Sequence, residues 1–143
     1  MLPTESAPLL YRELVRIGAQ HTPDEQVVAL AALMERIFLE ATRKEQIAFS
    51  TLFARISYAG HLFHIQPDVL RRVHRFRLAT KWIRAGQPAN TPTVLLGLRA
   101  VSELVLVLTG AAIPPDVMEC WGGPEMVAEP DEPAGTLTFA AAI

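Results

Sequence analysis

The stretch TPDEQVVALAALMERIFLEA, residues 22–41, decides the fold. Thr22 supplies an N-cap hydroxyl, Pro23 suits the first helical position, and Asp24 and Glu25 place negative charge at the positive end of the helix dipole. Glu25 also stands three residues after the cap, where a capping box needs it. Beyond this start Val27, Leu30, Ala31, Met34, Ile37, Phe38 and Ala41 recur at three- and four-residue spacing and draw one apolar stripe down about five turns. Such a stripe is stable only against other helices.

The same periodicity extends outward from residue 9 to residue 108 with almost no strand-like alternation, which predicts an all-α bundle of five or six helices. A first helix is expected over residues 7–19, with Leu10, Leu14 and Ile17 on its stripe. After residue 41 the chain turns polar, and a break or bend is expected within residues 42–50. A third helix follows, with Phe49, Leu52, Phe53, Ile56, Gly60 and Phe63 on one face and Ser50, Arg55, Ser57 and His61 on the other. Three phenylalanines on one stripe predict the centre of the core, and Gly60 predicts a place where a neighbouring helix comes close. Pro67-Asp68 opens a fourth helix that stops at Gly86, Thr91-Pro92 opens a fifth that ends near Gly110, and Pro114-Pro115-Asp116 starts a short one through Trp121, closed by Gly122-Gly123. Residues 1–123 thus read as a helical domain. Residues 124–143 read as an acidic, proline-rich linker or tail, ending in an apolar segment that suits a short strand, a docked tail or the approach to a further domain.

At 143 residues, 50% of them hydrophobic, the chain can bury a core without disulfides or metal. The single cysteine, Cys120, has no partner for a disulfide, and the N-terminus lacks the basic and apolar regions of a secretory signal, so a cytoplasmic setting is expected. The most apolar run, residues 94–108, is interrupted by Arg99 and Glu103, which are four apart and can face each other on a helix. A core helix is expected there rather than a membrane span. The apolar stripes suit internal packing and a dimer equally, so oligomeric state stays open.

Net charge is −2, which excludes a globally basic nucleic-acid binder, but the charge is unevenly laid out. All thirteen Lys and Arg residues lie at or before Arg99, whereas Glu103, Asp116, Glu119, Glu125, Glu129, Asp131 and Glu132 follow with no base among them. The eight glycines form neither a P-loop nor a dinucleotide-binding fingerprint. His61 and His64 are three apart with Asp68 beyond, but Pro67 intervenes and no fourth ligand is evident, so no metal site and no cofactor is expected. Cys120 has no neighbouring base to activate its thiol, and the serines lack a nucleophile elbow. A non-catalytic binding domain is the expectation.

The informative segment is PDVLRRVHRFRLATKWIR, residues 67–84, with six bases (Arg71, Arg72, Arg75, Arg77, Lys81 and Arg84) against one acid, Asp68. On a helical wheel Val69, Val73, Phe76, Ala79, Thr80 and Ile83 fall together and should pack inward. His74, Arg77, Lys81 and Arg84 then make one outward stripe, and Arg71 and Arg75 another, with Trp82 between them in angle. Bases for phosphates and an indole for stacking point to DNA or RNA as partner. A protein partner recruited through the same helix or through the acidic tail is the alternative, and a merely solvated basic helix, neutralised by the tail's acids, is the plainest reading.

The run FSTLFARISYAGHLFHI (residues 49–65), followed by LRRVHRFR (residues 70–77), resembles the N-terminal helical region that precedes the motor of some large bacterial superfamily 1 DNA/RNA helicases, over residues 9–85. The resemblance implies an accessory, nucleic-acid-contacting domain whose ATPase lies elsewhere in a longer polypeptide. It carries over no catalytic residue, because no helicase motif is present.

Overall fold

The computed structural model describes residues 2–20 and 22–120. The expectations for Trp121, for the acidic segment and for the terminal apolar stretch lie outside the described residues, as does the side chain of Cys120. The chain is an all-α bundle: α1 (Ala7–Gly18), α2 (Pro23–Ala41), α3 (Leu52–Leu62), α4 (Pro67–Arg84), α5 (Thr91–Thr109) and α6 (Pro115–Cys120), with short 3₁₀ turns at Thr4–Ser6 and Arg43–Glu45. No strand occurs among the described residues.

Side-chain caps start three of the helices, relieving amide donors that have no partner within the helix. The Thr22 hydroxyl accepts from the Glu25 amide at 3.2 Å, Thr51 does the same for Ala54 at 3.1 Å, and Asn90 Oδ1 accepts from Thr93 at 2.9 Å. Gly110, at φ 74°, ends α5 in the left-handed conformation that glycine adopts without steric cost. The carbonyls left over at that end are taken up by the N-terminus. Leu2 N–H donates to Leu108 O at 3.0 Å and the Thr4 hydroxyl to Thr109 O at 3.1 Å, while the buried Tyr11 hydroxyl donates to Ala111 O at 3.0 Å.

The bundle is organised around α5, which packs against α1, α2 and α4 and buries Val94, Leu98, Val101, Leu104, Val105 and Leu108. Its closest approach is at Gly97, where an added Cβ would lie 2.5 Å from Phe76 Cε1 on α4 and 3.0 Å from Leu30 Cδ1 on α2. The missing side chain is what lets three helices converge. By length and apolar composition α5 could also cross a membrane, but more than half of it is buried among the other helices. The expected pair forms inside it, Arg99 Nε lying 3.6 Å from Glu103 Oε1.

The third helix departs from expectation. Its middle is buried through Ile56, Ala59 and Gly60, and Gly60 does admit a neighbour, since a Cβ there would meet Leu70 Cδ1 at 2.7 Å. The phenylalanines are not the centre of the core. Phe49 precedes the Thr51 cap and is not helical, Phe63 follows the last turn, and Phe53 in the first turn is 46% exposed. The apolar periodicity runs past both ends of this eleven-residue helix, where the neighbouring helices no longer cover the stripe.

Candidate nucleic-acid interface

Proline at the first position and Asp68 in the first turn start α4, and Val69, Val73, Phe76 and Thr80 bury its inner face, as the wheel predicts. Ala79 and Ile83 are half-buried at the edges of that face. The helix runs antiparallel to α5: Arg72 meets Glu103 near one end and Phe76 meets the Gly97 position further along.

One of the expected phosphate contacts is not on the surface. Arg72 is only 7% exposed, and its guanidinium grips Glu103 through two bonds of 2.6 Å, Nε to Oε1 and Nη2 to Oε2. Its charge is consumed inside the bundle, so Arg72 leaves the candidate set. The signal was in the sequence, because at about 100° per residue Arg72 falls between Ala79 and Ile83, within the inward arc.

The remaining bases lie on or beside the outer face. Lys81 and Arg84 are exposed, Arg75 is half-buried, and Arg71 is exposed with Asp68 Oδ1 at 3.7 Å from its Nη2. Trp82 is 43% exposed. Leu78 lies beside it, half-buried, with Arg71 between the two in angle, Arg75 on one flank and Lys81 on the other.

Arg77 and His74 turn toward α3 instead. The Arg77 guanidinium carbon stands 5.1 Å from the centroid of the Phe53 ring, and the His74 ring lies 5.0 Å from the same ring. Burial pushes the Arg77 guanidinium below its ordinary range, and burial with the nearby Arg77 charge lowers the His74 imidazole. Arg77 stays a cation at neutral pH all the same. By the stripe of α3, Phe53 is predicted as core, not as a site residue. It gives the basic face a second aromatic surface, and only its place in the first turn of α3 could have revealed that.

A parallel arrangement occupies the other side of α3, where Arg55 stands 4.8 Å from the Phe49 ring centroid and donates to the Thr42 hydroxyl at 2.6 Å. His61 and His64 do not share a helix face: α3 ends at Leu62, and His64 has φ 52°. Among the described residues no group of three His, Cys, Asp or Glu side chains converges on a point. An open groove of about 240 Å³ between α1 and α2, bordered by Glu13, Arg16, Gln20 and Arg36, lies apart from the α4 face.

Comparison with known protein families, curated proteins and solved structures returns no match.

Proposed function

We propose that this chain is a non-catalytic binding domain that contacts the phosphate backbone of DNA or RNA through the outer face of α4. Arg71, Arg75, Lys81 and Arg84 carry the phosphate contacts, Arg77 adds charge at the border with α3, and Trp82 offers a stacking surface. The carrying observation is the exposed indole set between Arg71 and Arg75 in angle, with Lys81 and Arg84 further round the helix, bases that together span about 20 Å along its axis. Bases along a backbone-length track, interleaved with an aromatic ring, are what sequence-tolerant single-strand binding requires. An accessory role beside a separate motor, as the helicase resemblance implies, agrees with this division of labour.

Titration of fluorescently labelled single-stranded and duplex oligonucleotides at low and moderate salt tests the proposal. Binding is expected to weaken steeply, and with about four phosphate contacts to a single strand the slope of log affinity against log salt is about −3. Trp82→Ala should weaken single-strand binding by about tenfold, the equivalent of one lost stacked base. Absence of binding at low salt, or undiminished binding in an Arg75→Glu/Lys81→Glu variant, overturns it.

The second reading, a face for an acidic protein segment, is favoured by Phe53 lying exposed beside Arg77. It predicts no oligonucleotide binding and a stoichiometric partner that the Arg75→Glu/Lys81→Glu variant no longer retains.

A further inference from the structure

The outer face of α4 is a strip of Leu78 and Trp82 flanked by bases, and this chain carries a segment of complementary chemistry outside the described residues. Residues 125–132 read EMVAEPDE, with Glu125, Glu129, Asp131 and Glu132 around Met126 and Val127. No lysine or arginine follows Arg99, so nothing in that segment offsets its charge. We infer that residues 125–132 dock on the outer face of α4 and compete there with phosphate ligands. The competition rests on the reading of α4 as a phosphate-binding face; the docking rests on the complementarity alone.

Length and position agree with charge. Arg71 to Arg84 spans about 20 Å along the helix axis, and residues 125–132 in an extended conformation span about 23 Å. Because α4 and α5 are antiparallel, the start of α4, with Arg71, lies at the end of α5, while α6 itself packs against α1. The five residues from Cys120 to Glu125 reach up to about 17 Å, and the nine to Glu129 reach about 30 Å. Met126 and Val127 stand between Glu125 and Glu129 as Leu78 and Trp82 stand between the flanking bases. A tethered segment acts at an effective concentration in the millimolar range, so weak contacts suffice to hold it in place. External phosphates of higher charge density then displace it.

Lysine content makes the test sharp, since the chain has only Lys44 and Lys81. Zero-length carbodiimide cross-linking of the full chain, read by mass spectrometry, should join Lys81 to acids of residues 125–132 within a single chain, with Lys44 as the internal reference. Titration of a labelled single-stranded oligonucleotide against the full chain and its Glu125→Gln/Glu129→Gln/Asp131→Asn/Glu132→Gln variant should show affinity raised about fivefold or more in the variant at low salt. No Lys81 link, links as frequent at Lys44, or links found only between two chains would overturn the docking. Equal oligonucleotide affinity in the two proteins would overturn the competition. Intrachain Lys81 links with no oligonucleotide binding by either protein would leave the docking standing and sink the nucleic-acid reading instead.

Discussion

Arg72 of α4 reaches across to α5 and holds Glu103 by both edges of its guanidinium, with two bonds of 2.6 Å, while Arg99 approaches the same carboxylate at 3.6 Å. The pair is mostly buried, its side chains 9% and 18% exposed. Removing one partner of such a pair strands the other charge. Glu103→Leu should therefore cost about 3 kcal/mol, whereas Arg72→Met leaves Glu103 with Arg99 and should cost about 1–2 kcal/mol. An Arg72→Met/Glu103→Leu double variant should recover most of the loss, since well-packed apolar residues often replace a buried pair without penalty. Urea denaturation of the four proteins as a double-mutant cycle checks this, and additive costs would show that the two residues act independently.

Two glycines in helices should respond differently to alanine. At Gly97 the new Cβ would lie 2.5 Å from the Phe76 ring, which is fully buried and cannot swing away. Overpacking costs about 1–3 kcal/mol against a helix-propensity gain of about 1 kcal/mol, so Gly97→Ala should destabilise. Adding Phe76→Leu should relieve part of the clash. At Gly60 the nearest atoms are the branch ends of Leu70, the far end of a flexible, half-buried side chain rather than a fully buried ring. Gly60→Ala should fall within about 0.5 kcal/mol of the parent. Thermal or urea midpoints decide, and equal effects at the two sites would contradict this account.

The difference between those glycines illustrates what was legible in the sequence. Caps and stripes are local: Thr22, Pro23, Pro67 and Gly110 mark ends because the backbone needs specific chemistry there, and α1, α2, α4 and α5 followed from them within a residue or two. Coverage is not local. Phe53 lies at the edge of the α3 stripe, and whether an aromatic there is core or surface depends on how far α2 and α4 extend past it. Arg72 shows the converse. Its angle placed it inward, but only the partner on α5, thirty-one residues away, shows why an arginine can remain there. The bases of α4 were readable as a set, while their division into buried, ring-covered and exposed members required the neighbouring helices.

His74 should make stability fall in mild acid. Its ring is packed against Phe53, and burial together with the adjacent Arg77 charge holds its folded pKa below the ordinary 6.5. A group that resists protonation when folded contributes fully above pH 6.5, and the contribution is lost as pH drops toward its folded value. Urea midpoints between neutral pH and pH 5 should decline less in His74→Phe than in the parent chain. Parallel declines would rule out His74 as the cause.

Tyr11 predicts an opposite, alkaline loss. Its hydroxyl is buried, donates to Ala111 O at 3.0 Å, and ties α1 to the segment leading into α6. Burial pushes the phenol from 10.0 up to about 12. For an acid held neutral in the folded state, the stabilising contribution is complete below pH 10 and is lost as pH rises through about 12, because the unfolded chain gains by ionising first. Tyr11→Phe removes both the hydrogen bond and the ionisable group. At pH 7 it should cost about 1 kcal/mol, the worth of one such bond with its carbonyl left unpaired. Tyr58, whose phenol is also raised by its 2.6 Å bond to Glu45, titrates in both proteins and cancels in the difference. Between pH 10 and 12 the parent should therefore lose stability faster than Tyr11→Phe, and the two denaturation midpoints should approach one another. A gap that stays constant through that window would mean that the Tyr11 hydroxyl ionises as readily in the folded chain as in the unfolded one.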